Sequence, residues 1–88
     1  MEHYVYIIFS QNTSKYYRGY STNPYKRLIS HNKNESNYTK NKGPWELVYI
    51  ELLETKKLAL VREKALKKYS RKQIEELLGS SKNLLNKP

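Results

Sequence analysis

The 88 residues leave room for one small domain around a single core, and not for a second domain. With no cysteine, the chain has no disulfide, no Cys-ligated zinc and no thiol chemistry, so a reducing, cytoplasmic setting is expected. Seventeen Lys and Arg against eight Asp and Glu leave a formal charge of +9, which points to a polyanionic partner.

The first element is HYVYIIF, where Tyr4, Tyr6 and Ile8 alternate with Val5, Ile7 and Phe9. Both faces are apolar or aromatic, so the strand belongs to a sheet covered on both sides. The run MEHYVYIIFS is too short for a signal-peptide core or a membrane span. QNTS supplies turn residues, and KYYRGY reads as an antiparallel second strand closing a hairpin. Gly19 near its end predicts that something approaches the backbone closely. In STNPYKRLISHN, Thr22 or Asn23 caps a helix whose first turn holds Pro24. Its Tyr25, Leu28, Ile29 and Asn32 share one face, and Arg27 and His31 line up on another.

KNESNYTKNKG is polar and unperiodic, a loop. WELVYIELL is the third strand, again apolar enough to need cover on both faces. From Thr55 a helix runs to about Tyr69, with Leu58, Ala59, Val61, Ala65, Leu66 and Tyr69 as its apolar arc and Arg62 inside that arc. Ser70 and Gln73 have capping-box spacing for a last helix ending at Gly79. The expected fold class is α/β (α+β): a three-stranded antiparallel sheet flanked by helices on both faces, in the order β-β-α-β-α-α. The domain spans residues 1–80, and residues 81–88 form a flexible C-terminal tail.

The cations are concentrated: residues 15–42 hold seven, residues 56–72 hold eight, and the first fourteen positions none. A lysine coat serving solubility is the plain alternative. A membrane surface is disfavoured because no helix joins the lysines to a broad Trp/Phe/Leu face. No nucleophile elbow, P-loop or dinucleotide glycine pattern is present, and His3 and His31 lack the companions a zinc site needs. A lone histidine on a polar helix face is more often solvated than functional, so His31 needs company to mean more.

That company comes as an ordered set. Tyr4-Val5-Tyr6 and Tyr17-Arg18-Gly19 on adjacent hairpin strands, Arg27-x-x-x-His31 on the next helix, and Ala59-Leu60-Val61-Arg62-Glu63 on a later one resemble the GIY-YIG nuclease family. The similarity runs on through LKKYSRKQIEEL and is closest to small stand-alone bacterial members. Two positions depart from the name pattern: Tyr4 replaces a glycine, and Arg18 an apolar residue. The resemblance implies a metal-dependent endonuclease hydrolysing phosphodiester bonds, with catalytic Tyr6, Tyr17, Arg27, His31 and Glu63. Glu63 would be the protein's ligand to Mg²⁺ or Mn²⁺, Tyr6 the base acting on water with its pKa lowered by cations, His31 its proton partner, and Arg27 the phosphate clamp.

The helical wheel does not single out Glu63, although it is the one acid among the eight cations of residues 56–72. Its plain alternative is an i,i+4 partner for Lys67. Arg62 is as readily buried against an internal carboxylate or carbonyl as bound to phosphate. Arg18, Lys26, Lys40, Lys42, Lys67 and Lys68 are the expected nucleic-acid contacts, and Tyr16, Tyr20 and Tyr25 packing or stacking rings. The expected partner is nucleic acid, DNA ahead of RNA, in repair or processing, with a separate protein supplying targeting. The rival class is a non-catalytic basic module that holds nucleic acid without cutting it.

Overall fold

The computed structural model describes residues 1–87. The elements are β1 (His3–Ser10), β2 (Lys15–Ser21), α1 (Pro24–Asn32), β3 (Trp45–Leu53), α2 (Lys56–Leu66) and α3 (Arg71–Leu78), followed by a 3₁₀ turn, Leu84–Asn86. The sheet order is β2-β1-β3, antiparallel throughout. The apolar β1 is therefore the central strand, and β2 has a free edge.

Alternation along β1 splits the interior in two, as expected for a sheet covered on both faces. Val5 and Ile7 pack with Tyr49, Ala59, Leu66, Ile74 and Leu77 under α2 and α3. Tyr6 and Ile8 pack with Trp45, Tyr17, Leu28 and Leu47 on the α1 side. A register shift between Ile7 and Ile8 bulges β3 locally. The helix starts match their sequence signals. The Asn23 side chain accepts from the Lys26 N–H ahead of Pro24, Thr55 caps α2 through the Leu58 N–H, and Ser70 with Gln73 closes a full capping box.

The arc expected for α2 is rotated. Ala59 and Leu66 are buried, but Leu58 and Val61 are 47% and 60% exposed and Ala65 is exposed as well. The cause is Arg62, whose Nε donates to Glu51 Oε1 at 3.0 Å on β3, while one terminal nitrogen donates to the Tyr69 hydroxyl at 3.2 Å. This internal pair turns the helix toward the sheet with a charged side chain, and settles the open reading of Arg62 in favour of a buried carboxylate.

The segment read as tail carries a buried side chain. Asn83 donates to the carbonyls of Val48 and Leu78 and accepts from the Ile50 N–H, tying residues beyond α3 to β3. Pro88, the last residue of that segment, lies outside the described residues. Among the described residues, no helix is long and apolar enough to cross a membrane.

Candidate active site

Tyr6 points from the central strand toward α1 and is 1% exposed. Its ring can lie there because its neighbour across the ladder is Gly19. A Cβ at that position would come within 2.5 Å of Tyr6 Cζ and Oη. The close approach that Gly19 predicted is thus the Tyr6 ring crossing the edge strand.

The Tyr6 hydroxyl and His31 Nε2 are 2.9 Å apart, and His31 Nδ1 lies 2.7 Å from Thr39 Oγ1. His31 is fully buried, not solvated as a lone helix histidine usually is. Two features cover it. The loop after α1 returns Thr39 to the imidazole, with Trp45 Nε1 donating to the Thr39 carbonyl at 3.3 Å. On the other side, the Tyr17 ring meets His31 edge-on, with centroids 5.1 Å apart. Thr39 is the residue that sequence reasoning missed; it sits in an unperiodic polar loop, and only its hydrogen bond gives it a role.

The electrostatics follow from burial. Burial first, then the charge of Arg27, lowers the His31 pKa to about 4, so the ring is neutral at neutral pH. The Tyr6 phenol moves the other way from its ordinary 10. Burial raises it, the neighbouring Arg27 guanidinium pulls it down, and Tyr17 and Glu63 push it up again. The expectation that surrounding cations lower Tyr6 therefore fails: desolvation of the phenolate outweighs one guanidinium.

Arg27, one helical turn before His31, is half-buried, and no carboxylate pairs with it among the described residues. Glu63 comes from α2, on the opposite face of the sheet. It is nonetheless the one carboxylate, among the described residues, whose charge acts on the Tyr6 hydroxyl. Its side chain is 19% exposed and pairs with Lys67 Nζ at 3.5 Å, so the i,i+4 pair expected as its plain alternative is present. The Tyr17 hydroxyl has no hydrogen-bond partner among the described residues. Tyr6, His31 and Tyr17 are thus in contact on the α1 face of the sheet, while Arg27 and, from the other face, Glu63 act on the Tyr6 phenol through their charge.

The expected nucleic-acid contacts are more scattered. Lys26, Lys40 and Lys68 are exposed. Lys42 Nζ lies 5.0 Å from the Tyr38 ring centroid, and Lys67 flanks Glu63. Arg18 donates inward to the Tyr69 carbonyl at 3.3 Å, and its Nε is buried without a partner. Among the described residues no three His, Cys, Asp or Glu side chains converge as a metal cluster.

A family profile described as the GIY-YIG catalytic domain matches residues 2–76. UPF0213 protein SSP2268 of Staphylococcus saprophyticus is 40% identical over 79 residues, covering 89% of this chain and 95% of the relative. UPF0213 protein HQ_3675A of Haloquadratum walsbyi is 38% identical over 76 residues, covering 85% and 84%. The solution NMR structure of UPF0213 protein BH0048 from Bacillus halodurans superposes with a TM-score of 0.59 at 30% identity, covering 97% of this chain and 90% of that one.

Proposed function

The chain belongs to the GIY-YIG family, a family of nucleases, and from that premise we propose that it is a divalent-metal-dependent endonuclease acting on nucleic acid, DNA before RNA. The observation that carries the reading is the unpaired guanidinium of Arg27 beside a buried Tyr6–His31–Thr39 chain. A half-buried cation without an internal counter-ion is an open position for an anion, and a phosphodiester fits its planar fork.

The Arg27 charge acts on the Tyr6 oxygen and favours negative charge there, so in this reading the Tyr6 proton is directed to His31 Nε2. His31 then carries its single N–H at Nδ1, where Thr39 Oγ1 receives it. The depressed pKa of His31 keeps Nε2 open at neutral pH. An attacking water gives its proton toward Tyr6 while the phenol proton passes to His31. Tyr6 thus acts as a relay instead of a standing phenolate, which its raised pKa forbids. Tyr17, with an unused hydroxyl on the same strand face, orients the water or a phosphate oxygen.

A single carboxylate among hydroxyls and an Arg is a hard-oxygen donor set, which suits a cation that keeps most of its own waters. Glu63 would hold Mg²⁺ or Mn²⁺, which when bound neutralises charge on the phosphate and the leaving oxygen. The test is incubation with branched, single-stranded and duplex DNA and RNA in Mg²⁺, Mn²⁺ or EDTA. Cleavage in the metal lanes and none in EDTA is expected. Retention of nucleic acid without cleavage in any lane would contradict the reading and leave a binding module.

A further inference from the structure

We propose that the free edge of β2 carries a subsite for one unpaired nucleotide of the substrate strand, with Tyr38 as the ring on which its base stacks. Tyr16, Tyr17, Arg18, Tyr38 and Lys67 line one hollow of about 340 Å³. Tyr17 points to the α1 side of the sheet and Tyr16 and Arg18 to the α2 side, so this hollow wraps the strand edge.

Tyr38 is 70% exposed. The ring is held from below: it lies 5.4 Å from Tyr17, which in turn meets His31 at 5.1 Å, and His31 holds Tyr6. A continuous line of rings leads from open surface to the buried relay. A base stacked on Tyr38 therefore brings its phosphate toward Tyr17 and Arg27, where the reading above places the chemistry.

The lining chemistry agrees with a nucleotide. Aromatic faces receive any base, whatever its sequence. Lys42, whose Nζ lies 5.0 Å from the Tyr38 ring centroid, supplies positive charge for a flanking phosphate. No acid lines the hollow among the described residues, and Glu63 is paired with the lining Lys67. In a continuous duplex each base is stacked on both faces and paired, and none can offer a face to Tyr38. The subsite therefore selects single-stranded or branched strands over uninterrupted duplex. This inference uses the nuclease reading for the direction of the strand; its binding test does not need turnover.

The experiment measures binding of a dye-labelled single-stranded oligonucleotide, its abasic counterpart and a matched duplex, all in EDTA, to wild type, Tyr38→Ala and Tyr38→Trp. Tyr38→Ala is expected to weaken single-strand binding by about 5- to 100-fold and Tyr38→Trp to restore it. Duplex binding should not change, and wild type should bind the abasic strand as poorly as Tyr38→Ala does. Wild-type single-strand affinity in Tyr38→Ala, or an equal loss on duplex, would overturn the subsite. Failure of the nuclease reading would appear separately, as an absence of cleavage when Mg²⁺ is added to wild type.

Discussion

Two buried tyrosines, Tyr6 and Tyr49, stand on opposite faces of the sheet and keep opposite company. Burial raises both phenols above their ordinary pKa. Tyr49 donates to Glu51, which also takes Arg62, so carboxylate and guanidinium cancel inside the protein and clamp α2 to β3. Tyr6 meets a neutral histidine and an arginine with no internal counter-ion, while the carboxylate within its electrostatic reach is shared with an exposed lysine. The difference lies in charge closure. A closed cluster holds layers together, and an open one waits for an anion from outside.

The contrast breaks most visibly with matched phenylalanines. Tyr6→Phe is expected to lower single-turnover cleavage by about 10²- to 10⁴-fold, the usual worth of positioned proton transfer. It also costs about 1–3 kcal/mol of stability, because buried His31 Nε2 loses its partner. Tyr49→Phe should leave turnover per folded molecule unchanged. Equal loss in both variants would erase the distinction between the clusters.

Stability should sort the two arginines the other way. Arg62→Leu leaves Glu51 largely buried without its counter-charge and is expected to cost about 3 kcal/mol in urea denaturation, with turnover unaffected. Arg27→Leu breaks no internal pair and should melt near wild type. An Arg27→Leu protein as destabilised as Arg62→Leu would show that Arg27 has a structural counter-ion after all.

A pH titration sharpens the Tyr6 side. His31 is lowered from 6.5 to about 4, so the unfolded chain binds its proton more readily than the native one. The resulting stability is complete above about pH 6.5 and is lost as pH falls toward 4, with a full amplitude of about 3 kcal/mol. In His31→Gln that acid limb should flatten. An unchanged limb would assign it to carboxylates elsewhere.

Smaller still is the effect of Arg27→Lys. Its charge survives but its planar fork does not, so turnover should fall about tenfold, the worth of one charge-assisted hydrogen bond, with binding nearly intact. Wild-type cleavage under saturating substrate would remove Arg27 from the phosphate.

Much of this was legible in the chain because local signals carry it. Asn23 before Pro24, Thr55, and Ser70 with Gln73 mark the helix starts, and alternation in HYVYIIF announces a sheet covered twice. The rotation of α2 was not legible, because it depends on Arg62 finding Glu51 eleven residues earlier on another element, which hydropathy cannot express. The burial of His31 was not legible for the same reason: its cover is Thr39, supplied by a loop with no period, and Tyr17, supplied by an edge strand. The tyrosine pKa was misjudged because cations can be counted in a sequence and desolvation cannot. Family resemblance supplied Glu63, which neither wheel nor composition isolates.

The central claim is that the open cluster works with a cation held by Glu63, and Glu63→Gln tests it most directly. Cleavage of a branched DNA in Mg²⁺ and binding of the same DNA in EDTA are measured side by side, with thermal melting as the folding control. The account predicts cleavage reduced by about 10³-fold, since a neutral amide is a poor ligand for a hard cation, with binding retained and folding intact. A Glu63→Gln protein that cuts in Mg²⁺ at the wild-type rate would contradict it and reduce Glu63 to the surface partner of Lys67.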